Sequence, residues 1–287
     1  MSQHNKPTLE IIFIYLIICA SGFLSFWFLP IENSLLNFFV ADMVMTIVAY
    51  AISVYKKNSS VYDAYWSVIP FLFLLFWFLQ NGNSWQWAQY ITAGTISFWS
   101  WRLTHNWFRS WTGWQHEDWR YVNFRKQFPV GFEWMNFFGI HLYPTCIVFL
   151  SMTGLFFLFD GTVKNLNALL IIGNAIALTG TFLEFFADNV LYADRKNPNR
   201  IKGATIRKGI WKYLRNPNYL GEMLFWIGIA CIGFGAHAPW WTCLGAIGMV
   251  MMFLFASIPM KEKRLLQTRS DFEKYKAEVP SLIPFLK

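Results

Sequence analysis

Charged residues are scarce in this chain. Only 14% of its 287 residues are Asp, Glu, Lys or Arg, whereas 55% are hydrophobic and 20% are aromatic. A soluble domain carries about 25% charged residues, so the deficit excludes an ordinary soluble fold. The composition instead predicts an all-α, polytopic membrane helix bundle that forms one domain over residues 1–287.

Sequence motifs for several common chemistries are also absent. There is no GxGxxG or P-loop motif, which argues against a soluble nucleotide-binding fold. There is no GxSxG motif, which argues against an α/β-hydrolase. No cysteine belongs to a CxxC pair, so we expect neither a disulfide framework nor a metal site. The four cysteines all lie in apolar runs: Cys19, Cys146, Cys231 and Cys243.

Long apolar runs predict seven or eight transmembrane helices, since about 20 residues cross the hydrocarbon core. With eight spans, all of the 24 Lys and Arg residues except Lys164 fall on the side that also holds both termini. The positive-inside rule makes this side cytoplasmic, and we expect a bacterial inner membrane. The net charge of +8 then belongs to basic loops and does not indicate a nucleic-acid partner. The candidate spans are 9–29, 35–55, 65–80, 86–107, 134–158, 166–190, 219–236 and 239–259, the third being short and the first too long for a signal peptide.

The segment "RNPNYLGE" lies where a basic stretch meets an apolar run. Asn216 suits a helix N-cap and Pro217 suits the first helical position. Asn218, Glu222 and Trp226 follow four residues apart and therefore share one helix face. An amide and a carboxylate on one face fit a planar carboxamide such as that of nicotinamide. An Asn–Glu pair that holds two helices together fits the same pattern.

The basic stretch from 191 to 218 provides cations that match phosphate oxygens, and Arg207 and Arg215 belong to it. It equally fits a loop beside anionic lipid. In the preceding span, Glu184, Asp188 and Tyr192 recur every four residues. We expect Asp188 and Arg195, placed just past the helix end, to form a second polar wall. The C-terminal tail fits either the membrane surface or a cover over this pocket with Lys263, Arg264 and Tyr275.

Three segments, "GIWKYLRNPNYLGEMLFWIG", "LYADRK" and "KEKRLL" with the following "FEKYKAEVPSLIPFL", resemble the steroid 5-alpha-reductase family, in particular its bacterial branch. The likeness is dense over about 180–287 and weaker over 60–125, and the family-like C-terminal part spans about 130–287. Asn216 stands where that family usually has His. The resemblance implies NADPH as the cofactor and Trp226 on the substrate side. The cofactor-binding residues that we expect are Asp188, Arg195, Arg207, Arg215, Asn218, Tyr219, Glu222 and Arg264.

The segment "SSVYDAYWSVIP" is similar to the family's Gln-Glu segment, with Tyr62 in place of Gln and Asp63 as the catalytic acid. No Tyr in the fourth span aligns with the family's catalytic Tyr, so Tyr62 or Tyr65 is expected to take that part. An interfacial Asp63 that pairs with Lys56 or Lys57 is the alternative. The later segment "RLTHNWFRSWTGWQHEDWRY" adds polar residues expected to order the pocket or contact the cofactor: Arg102, His105, Glu117, Asp118, Arg120 and Tyr121.

Together these features predict a monomeric membrane reductase. NADPH would reduce a carbon–carbon double bond conjugated to a carbonyl in a lipophilic substrate, such as a 3-oxo-delta4-steroid or a related lipid. One alternative is an S-adenosylmethionine-dependent methyltransferase of the isoprenylcysteine type, which typically lacks the acid at the position of Glu222. Another alternative is a non-enzymatic lipid binder or transporter, although the two halves show no transporter-like repeat.

Overall fold

The computed structural model describes residues 6–160, 163, 165–201 and 203–283. This part of the chain contains twelve α-helices, several of them joined by 3-10 or π-helical segments, and no β-strand. The helices are α1 (Lys6–Phe28), α2 (Ser34–Lys56), α3 (Tyr65–Asn81), α4 (Trp87–Phe108), α5 (Trp119–Gln127), α6 (Phe132–Trp134), α7 (Tyr143–Phe159), α8 (Ala168–Lys196), α9 (Pro217–Gly235), α10 (Leu244–Met252), α11 (Ile258–Thr268) and α12 (Phe272–Glu278).

Seven helical stretches in the described residues are long and apolar enough to cross a membrane. They confirm the predicted helix bundle and make this a multi-pass membrane protein. The predicted fourth span, α4, forms a 22-residue helix packed against α3 and α8 but is not among the seven. Lys164, the cation predicted to face the other side, lies outside the described residues. The seven stretches are Thr8–Phe28, Ser34–Lys56, Ser59–Ser84, Phe132–Phe159, Ala168–Lys196, Pro217–Gly235 and Trp240–Thr268.

Helices α8 and α9 approach each other at their backbones because glycines line the contact. A Cβ atom on Gly228 would lie 2.6 Å from the carbonyl oxygen of Gly173, and one on Gly180 would lie 2.4 Å from that of Gly221. Small residues allow this close approach between membrane helices. The contact brings the acidic residues of α8 next to Glu222 of α9.

The chain re-enters the bundle after α2. Lys57 adopts a left-handed conformation (φ 52°) at the end of α2 and reverses the chain direction. The 3-10 segment Ser59–Ala64 then runs inward, and almost all of its residues are buried. A π-helical segment, Met135–Leu142, joins α6 to α7 and packs against α2 and the 3-10 segment.

Two local predictions need correction. Helix α8 continues to Lys196, so Arg195 lies in its last turn and not past its end. Pro217 is the first residue of α9 as predicted, but the Asn216 side chain makes no capping hydrogen bond. Its amide instead donates to the Ser281 hydroxyl over 3.0 Å, because the C-terminal segment lies against the start of α9.

Candidate functional site

One guanidinium group joins three acidic side chains inside the helix bundle. Arg102 of α4 donates hydrogen bonds to Glu184 of α8 and, over 3.1 Å, to Asp188. Its Nη2 also lies 3.8 Å from Oε1 of Glu222 on α9. Arg102, Glu184 and Glu222 are at most 4% exposed, so water screens these charges little. Ionisable groups at this depth in a membrane protein usually have a function.

Further side chains of α4 extend this charge cluster. The indole of Trp99 donates to Oε2 of Glu222 over 3.3 Å, and the amide of Asn106 donates to Asp188 over 2.8 Å. Arg109 in turn donates to the Asn106 carbonyl over 2.7 Å. A small cleft between α4 and α8 opens beside Arg109 and Asp188. Helix α4 therefore forms one wall of the site.

The predicted polar stripe on α9 forms the facing wall. Asn218, Glu222 and Trp226 lie on successive turns of this helix, as their spacing predicts. Among the described residues, Oδ1 of Asn218, Oε1 of Glu222 and Nε1 of Trp226 are buried without a hydrogen-bond partner. Nε of Arg102 is likewise buried without a hydrogen-bond partner in the described part of the chain. Buried polar atoms are nearly always paired, so these four atoms are candidate contacts for a ligand that offers both donors and acceptors.

Four arginines beyond the end of this site act on one another electrostatically, and Arg200 is paired with Asp194 over 2.9 Å. Arg195 of α8 interacts electrostatically with Arg200, Arg264 and Arg269. Burial, followed by the repulsion from Arg200, lowers the pKa of Arg269. Arg264 stacks 4.4 Å from the Trp119 ring, and its Nη1 is buried without a partner in the described residues. An anion between these groups would relieve their repulsion, and guanidinium groups match phosphate oxygens.

The other two predicted phosphate ligands bind the C-terminal segment. Arg215 donates from Nη1 to the backbone oxygen of Lys276 over 2.8 Å and from Nε to Glu262 over 3.0 Å. Arg207 pairs with Glu278 of α12. Tyr275 is buried and donates to a backbone oxygen of the loop before α9, Trp211, over 2.6 Å. The structure shows the C-terminal segment packed at the start of α9.

Asp63 pairs with a tyrosine of α5. The Tyr121 hydroxyl donates to Oδ1 of Asp63 over 2.6 Å, and Nη2 of Arg120 lies 3.4 Å from the same oxygen. These contacts replace the alternative pairing with Lys56 or Lys57. Burial, followed by the Asp63 carboxyl group, raises the pKa of Tyr121 well above its ordinary value, so its hydroxyl keeps the proton at neutral pH.

The structure separates Tyr62 and Tyr65 from Asp63. Their rings stack at 4.9 Å, and both hydroxyls enter a different polar cluster. The Tyr62 hydroxyl lies 2.7 Å from that of Thr145, and the Tyr65 hydroxyl donates to the Asp42 carboxyl over 2.8 Å. The three predicted catalytic side chains therefore divide between two places, Asp63 toward α5 and the two tyrosines toward α2 and α7.

Tyr219 lies in the first turn of α9, next to Asn218. Tyr219 interacts electrostatically with Arg120 of α5, with Asp118 at the N-cap of α5, and with Asp188 of α8. Lys261 of α11 lies 4.7 Å from its ring centre.

Sequence reasoning placed Arg102 and Tyr121 near the pocket without a specific role and did not single out Trp99 or Asn106. A usable signal existed for Arg102, because an arginine inside an apolar run must find acidic partners. No group of three or more His, Cys, Asp or Glu side chains that could hold a metal ion occurs in the described ranges.

Two relatives and one protein family are similar to this chain. An uncharacterized protein of Schizosaccharomyces pombe is 26% identical over 283 residues, covering 87% of this chain and 80% of the relative. Human 3-oxo-5-alpha-steroid 4-dehydrogenase 1 is 31% identical over 116 residues, covering 40% of this chain and 41% of the relative. No solved structure matches significantly. The family described as "Protein of unknown function (DUF1295)" matches residues 49–279, and the chain therefore belongs to this family.

Proposed function

We propose that this protein is a membrane reductase that uses NADPH to reduce a carbon–carbon double bond conjugated to a carbonyl group. The observation that carries the proposal is the row of buried polar atoms without a hydrogen-bond partner on Asn218, Glu222 and Trp226 of α9, next to the Arg102 cluster. The similarity to a human 3-oxo-5-alpha-steroid 4-dehydrogenase supports the same chemistry, although it spans only part of each chain.

The residues present fit the two ends of this cofactor. The Asn218 amide and the Glu222 carboxyl offer a donor and acceptors to a carboxamide, and Arg102 and Trp99 hold Glu222 in place. Arg195 and Arg264 belong to the arginine group that would take the phosphates. Arg207 and Arg215 already bind the C-terminal segment, so we assign them the task of holding the start of α9. When bound, NADPH supplies the hydride.

Asp63 and Tyr121 supply the proton that the reduction also requires. The hydrogen bond from Tyr121 to Asp63 holds a proton between the two side chains. A hydroxyl or carboxyl proton donated to the substrate carbonyl stabilises the negative charge that develops on its oxygen. Trp226 is fully buried and provides an apolar wall for a lipophilic substrate. A 3-oxo-delta4-steroid or a related lipid is the substrate class that we propose.

Ligand-dependent thermal stability of the purified, detergent-solubilised protein tests this proposal. Each ligand raises the unfolding temperature in relation to its concentration over its dissociation constant. We expect NADPH to stabilise the wild-type protein and Glu222→Gln or Asn218→Ala to reduce this effect strongly. Glu32→Gln, a change of the same kind at an exposed loop position, should leave it unchanged.

Each contrary outcome selects a different function. Stabilisation by S-adenosylmethionine but not by NADPH would refute the reductase and favour the methyltransferase. No stabilisation by NADPH, NADH or S-adenosylmethionine would favour a lipid binder or transporter. If NADPH binds equally well to Glu222→Gln, the α9 stripe is not the nicotinamide site.

A further inference from the structure

Two glutamate side chains of neighbouring helices meet inside the bundle, Glu184 of α8 and Glu222 of α9. Gly221 makes room for them, because a Cβ atom at this residue would collide with Cγ of Glu184. Nη2 of Arg102 donates a hydrogen bond to Glu184 and lies 3.8 Å from Oε1 of Glu222. The two carboxyl groups therefore lie around one nitrogen atom, and both residues are at most 4% exposed.

One guanidinium group serves three carboxyl groups in this cluster, since Arg102 also donates to Asp188 over 3.1 Å. Asp188 has further support from the amide of Asn106, which donates to it over 2.8 Å. It also interacts electrostatically with three more cations: Arg109, Arg195 and Lys261. Glu184 and Glu222 interact with Arg102, with Asp188 and with each other. This pair of glutamates therefore depends on Arg102 for its positive charge.

Neighbouring elements do not change this balance. Helices α3, α7 and α10 and the 3-10 segment Trp240–Cys243 pack against α4 or α9 and contain no Asp, Glu, Lys, Arg or His. On the elements beside α4 and α8, His105 stacks on Trp101 at 5.5 Å, Asp63 accepts from Tyr121, and Lys212 is exposed. Two ionised carboxylates at this depth would repel each other with little screening.

The pair also receives few hydrogen-bond donors for two carboxylates. Arg102 donates to Oε2 of Glu184, and the indole of Trp99 donates to Oε2 of Glu222 over 3.3 Å. Oε1 of Glu222 is buried without a hydrogen-bond partner among the described residues. A carboxylate oxygen only accepts, whereas a protonated carboxyl group also donates. One proton on the pair supplies a donor and removes the repulsion between two adjacent carboxylates.

We propose that Glu184 and Glu222 share one proton, and that the pair releases it when the cationic ring of the oxidised cofactor binds at the α9 stripe. This inference rests on the proposed function, because it assigns NADPH and NADP+ to the same site. The ring of NADPH is uncharged, so the pair keeps its proton. The ring of NADP+ carries one positive charge, which takes the place of the proton and leaves the net charge of the buried site unchanged.

The shared proton lets the site distinguish the two oxidation states of the cofactor through pH. Release of one proton tightens the binding of NADP+ relative to NADPH about tenfold for each unit by which the pH rises, as long as the free pair holds its proton. A lower pH therefore favours the release of NADP+ and its replacement by NADPH.

Proton counting by isothermal titration calorimetry tests this coupling. The detergent-solubilised full-length protein binds each nucleotide in buffers that differ in ionisation enthalpy, and the dependence of the heat on the buffer gives the number of protons released. Both nucleotides carry the same phosphates, so proton exchange at the phosphates cancels in the difference. We expect NADP+ to release about one proton more than NADPH at about pH 7.

Two matched variants locate the proton. Glu184→Gln keeps the shape of the side chain and leaves one carboxylate beside Arg102. This variant should release equal numbers of protons with NADP+ and NADPH, and the ratio of the two dissociation constants should not change between about pH 6 and about pH 8. Glu32→Gln is the same substitution at an exposed loop position and should keep the wild-type difference.

Infrared spectroscopy of the cofactor-free protein tests the shared proton by itself. A protonated carboxyl group has a carbonyl stretching band that a carboxylate lacks, and this band shifts in deuterium oxide. We expect Glu184→Gln and Glu222→Gln each to remove the band intensity of about one carboxyl group, because the remaining acid then ionises beside Arg102. Glu32→Gln should remove none of this intensity.

Equal proton release by NADP+ and NADPH in the wild-type protein would overturn the coupling. An infrared band that Glu184→Gln leaves unchanged would overturn the shared proton. If neither nucleotide binds, the proposed function and the coupling fall together, and the infrared band still decides whether the pair holds a proton. If Glu184→Gln does not fold, the wild-type calorimetry still supports or refutes the coupling.

Discussion

Arg102 is the cation that balances Glu184, Asp188 and Glu222, and its replacement should destabilise the protein strongly. Arg102→Met leaves three buried acids facing one another without the guanidinium group. Breaking a buried ion pair by removing one partner costs about 3–5 kcal/mol. That is a large part of the roughly 5–15 kcal/mol by which a folded domain is typically stable. We therefore expect the unfolding temperature to fall by roughly 10 °C.

Thermal unfolding of the detergent-solubilised variants measures this effect. Arg102→Lys keeps the charge but cannot reach Glu184 and Asp188 together as a fork, so we expect an intermediate loss. Adding Glu184→Gln to Arg102→Met removes one of the stranded acids and should recover part of the stability. Lys274→Met is the control, because this lysine makes a 3.9 Å pair on the exposed surface and such pairs contribute little.

Two results would refute this reasoning. If Arg102→Met unfolds at the wild-type temperature, the three acids do not depend on the guanidinium group. If Glu184→Gln lowers the stability of Arg102→Met further, the stranded acids are not the source of the loss.

Three further predictions concern helix packing and the C-terminal segment. Gly228→Ala places a Cβ 2.6 Å from backbone atoms of α8, so we expect overpacking to destabilise the protein by about 1–3 kcal/mol, seen as a lower unfolding temperature. Arg215→Ala removes the bonds to the backbone of the C-terminal segment and should make that segment more sensitive to limited proteolysis, whereas equal sensitivity would show that Arg215 does not hold this segment at the start of α9. Burial raises the pKa of Asp271, but the two hydrogen bonds from Thr205 outweigh it and lower this pKa below its ordinary value. The lowered pKa of Asp271 stabilises the folded protein at pH values above the pKa that this group has in the unfolded chain. This contribution is lost as the pH falls below about 4. Proteolysis of the C-terminal segment should therefore increase in acid, and Asp271→Asn should show a weaker pH dependence.

Much of the fold could be predicted because the bilayer imposes local rules. Each span needs a long apolar run, and each predicted span contains a helix. The stripe of Asn218, Glu222 and Trp226 was also predictable, since residues four apart share a helix face whatever the rest of the fold does. The start of α9 at Pro217 follows from the fixed φ of proline. The end of α8 was missed because "LYADRK" carries no helix-breaking residue, so the helix continues past its apolar part.

The partners of the polar residues could not be predicted in this way. Nothing in the local pattern shows that Arg102 meets Glu184, 82 residues away, or that Asp63 meets Tyr121, 58 residues away. Arg207 looks like a phosphate ligand in a basic stretch, yet it pairs with Glu278 of α12. Tyr62 and Tyr65 lie close to Asp63 in sequence, but Tyr62 belongs to the 3-10 segment and Tyr65 begins α3, and their hydroxyls contact α7 and α2.

The sequence alone determined that this is a multi-pass helical membrane protein with a polar face on α9, because hydropathy and helical periodicity act over a few turns. Only the tertiary structure decided which charges pair and which buried polar atoms remain without partners. Those contacts join helices far apart in the chain, and they depend on how closely the glycines of α8 and α9 let the two backbones approach and on where the chain re-enters the bundle after α2.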